Sequence, residues 1–421
     1  MPLIGQFTPP GDKSISHRLV LFPILGEGEM LVTGLSDCED VASSLKVFRE
    51  LGGWAEEGLD GLRIRGLSRA IQEGKDYELD CGNSGTTMRL LSGILAGIPG
   101  DYVLDGDPQL RRRPMERVAE PLRQMGAKVG TLAGKPPLGI SGAILSPIDY
   151  AMKGASAQLK GAVLLAGLSA KDGPTTVTEP AMTRTHTERL LSHFGAHVAS
   201  DGLRHTVYPG TLQLGGSFPC PADPSGAAFF LCMAAVIPNS DITAKNMLLA
   251  PGRTGFLRAL ERMGAKVSVT MSSDTPEPIG DVTVSYQGRL RATEVLASDV
   301  PSLIDEIPIL ALAATQAEGT TVFRKVDELR IKETDRLMSI RHQLGALGAR
   351  VWIEGDDLHI NGPTSFIIPA SLDSGGDHRL AMTLTLALVA AGAKTPILGD
   401  DSIPISYPGF HRDLSLLWKE G

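Results

Sequence analysis

One short sequence motif recurs along the chain, and this repetition constrains the fold more than any other sequence feature. The motif is a helix-like run that ends at Gly, usually followed by Ala, a polar residue and Val. Its copies centre on Gly52, Gly126, Gly195, Gly264 and Gly348, and a sixth helix-like run ends at Gly421. The spacings run from 69 to 84 residues, whereas solenoid repeats are about 20–50 residues long. Each copy is therefore large enough to be a small folded module.

A second element recurs out of phase with the first: a short polar cluster followed by a long apolar run. The six clusters begin at Gly11, Cys81, Gly154, Ala222, Leu303 and Ser374. After the last cluster, Leu380, Leu384 and Leu388 recur at helical spacing, which predicts a helix there. Each copy is thus predicted to be strand–helix–strand–helix with extra strands, in the α/β or α+β class. The closing glycines are typical of left-handed helix caps.

The length of 421 residues exceeds what one compact core usually accommodates, so two domains are expected. Two stiff, helix-poor joints are candidates for the boundaries, at residues 8–11 and 218–221, where prolines cluster. Cutting there predicts one three-copy domain over residues 12–221. The second domain would combine residues 1–11 with residues 222–421.

Composition excludes several classes of protein. The net charge of −8 argues against nucleic-acid binding, which favours a basic surface. The N-terminus shows no export signal, and the longest apolar runs fall well short of the roughly 20 residues that span a bilayer. The four cysteines show no zinc-binding spacing, so reduced thiols are expected. We expect a cytoplasmic enzyme that takes no metal and has neither nucleic acid nor membrane as a partner.

The polar clusters place cations where helices begin. Lys13, Arg18, Arg89 and Arg379 all lie at or just inside predicted helix starts, where the helix dipole disfavours positive charge. A bound anion would compensate that cost. The alternative is that each side chain extends into solvent. Because three of the six clusters share the anomaly, with His378 beside Arg379 in the last of them, the pattern favours an anionic ligand.

Residues 330–336 (RIKETDR) form the densest charged segment. If this segment is helical, Lys332 and Arg336 lie on one face, and such a like-charge pair is unfavourable unless an anion joins it. Glu333 lies beside Lys332, whose charge would tune the protonation of the carboxyl group. The alternative is a solvated helix with ion pairs. Residues 111–114 (RRRP) are a second basic segment, which could equally be an ordinary loop.

These segments carry a family resemblance. Residues 10–18 (PGDKSISHR) resemble the PGxKSxSxR opening of the 5-enolpyruvylshikimate-3-phosphate synthases, and residues 82–89 (GNSGTTMR) resemble their GNxGTxxR loop. Further matches, in order, are Arg113-Pro114, Ser156-Ala157-Gln158, Arg184, Asp305-Glu306, residues 332–336 and residues 377–379. The resemblance implies two inside-out α/β barrel domains, each of three βαβαββ repeats, with the active site in the cleft between the domains. The reaction would transfer enolpyruvate from phosphoenolpyruvate to the 5-hydroxyl of shikimate 3-phosphate, releasing phosphate, on the route to chorismate and the aromatic amino acids.

The resemblance also implies roles for individual residues. Asp305, Glu333 and Lys332 would be catalytic. The shikimate 3-phosphate ligands would be Lys13, Ser14, Arg18, Ser156, Ala157, Gln158, Arg184, Asp305 and Lys332. The phosphoenolpyruvate ligands would be Lys13, Gly85, Arg113, Gln158, Arg336 and Arg379. No cofactor is implied, a monomer is expected, and the phosphoenolpyruvate pocket would also be the target of glyphosate.

Three positions depart from the common family pattern, and two other functions stay open. Ala157 stands where many members have serine, Glu328 where some have asparagine, and Ile405 near a lysine of some members. The sister transferase that acts on UDP-N-acetylglucosamine is one alternative, but it carries a reactive Cys shortly before its Arg-Pro, and residues 108–112 contain none. A non-catalytic anion-binding protein on the same fold is the other, and it would have no need of both Asp305 and Glu333.

Overall fold

The computed structural model describes residues 1–72 and 75–418. The chain forms two compact units, which we call the first unit (Gly11–Cys220) and the second unit (Met1–Pro10 with Pro221–Gly421). The predicted sixth closing glycine, Gly421, lies outside the described residues. Within residues 1–72 and 75–418, no helix has the length and apolar character needed to cross a membrane.

Along the described chain, helices alternate with groups of one to four strands. The α-helices are α1 (Lys13–Leu21), α2 (Glu39–Glu50), α3 (Gly85–Ala96), α4 (Glu116–Gln124), α5 (Ala157–Gly167), α6 (His186–His193), α7 (Pro224–Val236), α8 (Gly255–Arg262), α9 (Ile307–Ala314), α10 (Arg336–Ala346), α11 (His378–Ala390) and α12 (Phe410–Leu417). Short 3-10 helices cover Phe22–Leu25, Leu110–Arg112, Val300–Ser302, Asp327–Ile331 and Asp400–Ile405. The strands are β1 (Ile4–Phe7), β2 (Gly26–Thr33), β3 (Ala55–Gly58), β4 (Gly61–Arg65), β5 (Asp76–Asp80), β6 (Gly100–Asp105), β7 (Lys128–Leu132), β8 (Lys135–Gly142), β9 (Asp149–Ala151), β10 (Thr175–Thr178), β11 (Val198–Asp201), β12 (Arg204–Val207), β13 (Leu212–Leu214), β14 (Ser217–Pro219), β15 (Asp241–Leu248), β16 (Lys266–Ser273), β17 (Ile279–Ser285), β18 (Glu294–Val295), β19 (Gly319–Phe323), β20 (Arg350–Glu354), β21 (Asp357–Gly362), β22 (Leu372–Asp373) and β23 (Ile397–Leu398).

The sheets repeat one topology, which confirms the predicted βαβαββ module. In the sheet ordered β5-β6-β8-β7, β5 and β6 are parallel, and the hairpin β7-β8 joins β6 in antiparallel orientation. The sheets β9-β10-β12-β11, β1-β15-β17-β16 and β18-β19-β21-β20 follow the same pattern. Because parallel neighbours need a crossover connection, a helix precedes the second strand of each pair, namely α3, α5, α7 and α9.

Two copies borrow their first strand from elsewhere in the chain, and one is shortened. β13 and β14, at the end of the first unit, pair in parallel with β2 and so complete the first copy. β1 pairs in parallel with β15, which places the N-terminal segment in the fourth copy. The sixth copy has β22, α11, β23 and α12 but no following hairpin among the described residues. The last copy therefore lacks, among the described residues, the extra strands predicted for each copy.

The helix after the first strand of each copy lies inside its unit. Every residue of α3 from Thr87 to Ala96 is buried, as is every residue of α7 from Pro224 to Ala235 and all of α9. A helix that is apolar on all sides must be enclosed by other elements. The sheets lie outside these helices, as the mostly exposed strand β16 illustrates. This inside-out arrangement agrees with the predicted fold class.

The predicted glycine caps are also confirmed. The five helices α2, α4, α6, α8 and α10 each end two residues before one of the repeated glycines. The φ angles of Gly52, Gly126, Gly195, Gly264 and Gly348 lie between 82° and 107°. A β carbon is unfavourable in that backbone conformation, so glycine ends the helix at low cost.

Candidate active site

All six predicted polar clusters precede helices, namely α1, α3, α5, α7, α9 and α11. Five of these helices begin with a capping side chain that accepts a hydrogen bond from a backbone N–H of the first turn. The caps are Asp12, Ser84, Ser156, Asp223 and Asp377. The remaining first-turn amides of such helices are available to an anionic ligand.

In the first unit, three predicted ligands at the start of α1 lie close to the start of α6 and the loop before it. Lys13 forms an ion pair with Asp40 at 2.8 Å. Arg184 donates a hydrogen bond to Ser14 Oγ at 3.4 Å. Arg18, which is 2% exposed, donates from Nε to Thr187 Oγ1 at 3.0 Å. Neighbouring side chains therefore hold four predicted ligands in fixed positions: Lys13, Ser14, Arg18 and Arg184.

The start of α3 faces two guanidinium groups. A β carbon built on Gly85 would lie 3.0 Å from Arg89 Nη1 and 3.2 Å from Arg113 Nη1. Arg113 also donates to the side-chain oxygen of Asn83 at 3.0 Å. The backbone at Gly85 thus approaches both cations closely, and only glycine leaves this space open.

The start of α5 is tied to α3 through Gln158. The amide nitrogen of Gln158 donates to Thr86 Oγ1 at 2.8 Å, and its oxygen accepts a hydrogen bond from Arg89. Ser156 caps α5 by accepting from the backbone N–H of Leu159, and Ala157 is the first residue of the helix. This group of residues is therefore suited to binding polyanions, because it combines helix N-termini with several cations. The five cations are Lys13, Arg18, Arg89, Arg113 and Arg184.

In the second unit, two carboxylates and two cations converge before α10. Lys332 Nζ lies 3.8 Å from Asp305 Oδ1, and Arg336 Nη1 lies 3.7 Å from the same oxygen. Arg336 also donates from Nη2 to Glu333 and from Nε to Asp377 Oδ2 at 2.8 Å. Arg336 is fully buried, and its Nη1 has no hydrogen-bond partner within the described chain. A buried guanidinium nitrogen without a hydrogen bond is costly, so Nη1 is placed to donate to an anionic ligand.

Arg379 extends this group of residues from the start of α11. Its Nη1 donates to the backbone oxygen of Asp305 at 3.3 Å, and its Nη2 lies 4.0 Å from the Asp305 carboxylate. Arg379 is 8% exposed. Five predicted site residues are therefore neighbours in the second unit, although Asp305 and Arg379 are 74 residues apart in the sequence. The five are Asp305, Lys332, Glu333, Arg336 and Arg379.

The pKa values of two cationic groups in the second unit are shifted from their ordinary values. Loss of surrounding water lowers the pKa of the Lys332 ammonium below its ordinary value, with a further lowering by Arg336, and these effects outweigh the opposing influence of Asp305, Glu333 and Glu328. For Arg336, burial alone would lower the pKa, but Asp377 and Glu333 outweigh it and raise the pKa above the ordinary range. Arg336 is therefore a permanent cation, whereas Lys332 releases its proton more readily than an exposed lysine.

Residues 330–336 do not form one helix, so the helical condition stated for this segment is not met. A 3-10 helix covers Asp327–Ile331, Lys332 has extended backbone, and α10 begins only at Arg336. The reason is that Asp335 caps α10 by accepting a hydrogen bond from the backbone N–H of Met338 at 3.0 Å, which requires a non-helical capping residue. Lys332 and Arg336 are thus not a pair on one helical face, and Asp305 brings their charged ends together instead.

Sequence reasoning did not predict the positioning contacts of three residues that organise these groups, although it counted Arg89 among the cations at helix starts. Arg89 orients Gln158, Asn83 orients Arg113, and Asp377 binds Arg336 while capping α11. Asp377 had a local signal, since an acidic residue before an apolar helix is a good cap. Its contact with Arg336, 41 residues away in the sequence, had none.

A further buried group has the spacing of metal ligands. Glu179, Glu188 and His205 place one ligand atom each within 4.8 Å of the others. Lys160 Nζ lies 2.6 Å from an oxygen of each carboxylate, so an ammonium group already supplies the positive charge that a metal would bring.

Comparisons with known proteins agree over the whole chain. The family model for EPSP synthase (3-phosphoshikimate 1-carboxyvinyltransferase) matches residues 1–414. The 3-phosphoshikimate 1-carboxyvinyltransferase of Desulforudis audaxviator is 46% identical, over 99% of this chain and 98% of that protein, and that of Bacillus subtilis is 43% identical with the same coverage. The EPSP synthase structure from Acinetobacter baumannii has a TM-score of 0.86 and 37% identity, covering 99% of this chain and 96% of that one. The enolpyruvyl transferase NikO from Streptomyces tendae, at 20% identity and a TM-score of 0.79, shares the fold.

Proposed function

We propose a residue-level mechanism from one premise, which is that this chain belongs to the EPSP synthase family. The chain transfers the enolpyruvyl group of phosphoenolpyruvate to the 5-hydroxyl of shikimate 3-phosphate and releases phosphate, a step of aromatic amino acid biosynthesis. The observation that carries the mechanism is the convergence of Lys332 and Arg336 on Asp305, with Glu333 paired to Arg336. A protein that only bound anions would need the cations but not the carboxylates.

The first unit contributes the shikimate 3-phosphate side. Ser14 and Arg18 bind the carboxylate of shikimate 3-phosphate. The 3-phosphate group is bound by Ser156, Gln158, Arg184 and the backbone N–H of Ala157. Ser14 and Arg184 are in hydrogen-bond contact, which supports a shared ligand. Lys13, Gly85, Arg113 and Gln158 bind the phosphate of phosphoenolpyruvate, where cations balance its charge.

The second unit contributes the chemistry. Asp305 accepts the proton of the 5-hydroxyl, with the neighbouring Lys332 ammonium stabilising the developing negative charge. Glu333 protonates the methylene carbon of phosphoenolpyruvate while the substrate oxygen bonds to the adjacent carbon, giving a tetrahedral intermediate. Removal of a proton from the new methyl group and departure of phosphate then regenerate the enol double bond. Arg336 and Arg379 hold the phosphoenolpyruvate carboxylate, a task that suits the planar guanidinium fork.

Phosphate release is the direct test of this activity. The purified chain should release phosphate from phosphoenolpyruvate when shikimate 3-phosphate is present, and should not when UDP-N-acetylglucosamine replaces it. Release with the nucleotide sugar alone would identify the sister transferase instead. Binding of both substrates without any release would identify a non-catalytic protein.

The lowered pKa of Lys332 predicts an alkaline limit to activity. Because the ammonium form stabilises the developing charge, kcat/KM should fall as pH rises through the Lys332 pKa, at a pH below the ordinary lysine value of 10.5. Replacing Lys332 by Arg, whose pKa exceeds about 12, should remove this limb while lowering the maximal rate. Steady-state rates across alkaline pH measure both effects. A limb at the same pH in both proteins would assign it to another group.

The close approach at Gly85 predicts a difference between two ligands. In Gly85→Ala the new methyl group would lie 3.0 Å from Arg89 and 3.2 Å from Arg113, so both guanidinium groups must shift by a few tenths of an ångström. We expect glyphosate, which extends further than phosphoenolpyruvate, to lose more affinity, since a packed pocket leaves little space. The inhibition constant for glyphosate and the KM for phosphoenolpyruvate provide the comparison. Equal inhibition of wild type and variant would remove Gly85 from the pocket wall.

A further inference from the structure

Four buried charged or titratable residues of the first unit form what we call the Lys160 cluster: Lys160, Glu179, Glu188 and His205. All four are at most 4% exposed. Lys160 Nζ lies 2.6 Å from Glu179 Oε1 and 2.6 Å from Glu188 Oε1. His205 Nε2 lies 3.0 Å from Glu179 Oε1. Burial of several ions is costly unless each is compensated, and none of the four has a role in the mechanism above.

The cluster connects three elements of the first unit. Lys160 lies on α5, two residues after Gln158; Glu188 lies on α6; and His205 lies on β12. Glu179 directly follows β10. The two carboxylates therefore mark the ends of the segment 179–188, and the single ammonium of Lys160 ties both ends to α5.

This segment carries two groups that contact proposed shikimate 3-phosphate ligands. Arg184, itself such a ligand, donates to Ser14 Oγ at 3.4 Å. Thr187 Oγ1 accepts from Arg18 Nε at 3.0 Å. Between Glu179 and Arg184, Thr183 donates its hydroxyl proton to Glu179, which fixes the turn that leads to Arg184. The position of the segment thus determines where two of the proposed cationic ligands point.

We infer that Lys160 is a positioning residue for shikimate 3-phosphate, acting through the carboxylates of Glu179 and Glu188 on Arg184 and Arg18. This rests on the proposed function of those two arginines. Without the ammonium, neither end of the segment is tied to α5, and the two buried carboxylates also repel each other, so the ends of the segment separate. Arg184 and the Thr187 contact with Arg18 then lose their alignment, while Arg336 and Arg379, in the second unit, are unaffected.

Two variants test the inference. Lys160→Met removes the ammonium at nearly constant volume, and Lys160→Met with Glu188→Gln also removes one carboxylate, which restores the net charge of the cluster. We expect the double variant to recover stability relative to the single one, yet both should raise the KM for shikimate 3-phosphate by roughly 10-fold or more, as small misplacements of binding groups do. The KM for phosphoenolpyruvate should change much less.

Arg69→Met is the matched control. Arg69 lies in the same unit and donates to Ser169, Thr211 and the backbone of Leu168 and Gly210, so its loss should lower the melting temperature without altering either KM. Titration calorimetry with shikimate 3-phosphate on wild type, each variant and the control completes the test.

The outcomes separate the two proposals. A selective loss of shikimate 3-phosphate affinity in both Lys160 variants supports the inference. Lowered stability with both KM values unchanged, or changed equally, overturns it and leaves the proposed function intact. A wild-type chain that neither binds nor uses shikimate 3-phosphate overturns both.

Discussion

Replacing Glu333 by Gln should reduce kcat by roughly 10²–10⁴-fold, the usual contribution of a general acid or base. The amide has the size of the carboxyl group and can still accept the hydrogen bond that Arg336 donates to Glu333. It cannot deliver a proton to the methylene carbon of phosphoenolpyruvate. Substrate affinities should therefore stay close to those of the wild type, because the local geometry is kept while the chemical step is slowed.

The control for this prediction is Glu354→Gln, which makes the same chemical change at a side chain that is 79% exposed. Its turnover should equal that of the wild type. Rates of phosphate release at saturating substrates, together with both KM values, decide the matter. Full turnover by Glu333→Gln would assign protonation of the methylene carbon to another group, and a large rise in KM at unchanged kcat would make Glu333 a binding residue.

The parts of the fold that the sequence predicted are those governed by local chemistry. Glycine at the end of each repeated helix has few alternatives once the backbone turns left-handed, so Gly126 and Gly264 could be assigned from the sequence. The polar clusters before the central helices were predictable for the same reason, since a capping residue such as Ser84 has to precede its helix. The interval between these signals was enough to indicate the repeat.

Contacts between distant segments could not be predicted in this way. The pairing of β1 with β15 joins strands that are more than 200 residues apart, and no local pattern specifies it. In residues 330–336 the local pattern is misleading instead of silent. Their composition suits a helix, and only the cap at Asp335 excludes one. The residues proposed for the site were found through family motifs, and their roles remain predictions. The positioning roles of Arg89, Asn83 and Asp377 became visible only through the partners that they contact.

Arg336→Met should combine a loss of stability with a loss of phosphoenolpyruvate affinity. Arg336 is fully buried and contacts Glu333 and Asp377, with Asp305 3.7 Å away. Its removal leaves the buried carboxylate of Asp377 without this cation, a change that typically costs about 3–5 kcal/mol of unfolding free energy. Asp377 also caps α11, so the disturbance reaches the helix that carries Arg379.

The effect on the substrate should be separable from the effect on stability. A lost charge-assisted contact is worth about 1.5–3 kcal/mol, so the KM for phosphoenolpyruvate should rise by roughly 10- to 150-fold, while the affinity for shikimate 3-phosphate should change far less. Arg253→Met is the matched control, because Arg253 is 2% exposed and pairs with Asp223 at 2.7 Å in the same unit but has no proposed contact with phosphoenolpyruvate. Arg336→Lys keeps the charge without the planar fork, so it should fold better than the Met variant yet still bind phosphoenolpyruvate weakly. Denaturant unfolding and steady-state kinetics on all three variants give the answer, and a normal KM for phosphoenolpyruvate in both Arg336 variants would reduce Arg336 to a structural cation.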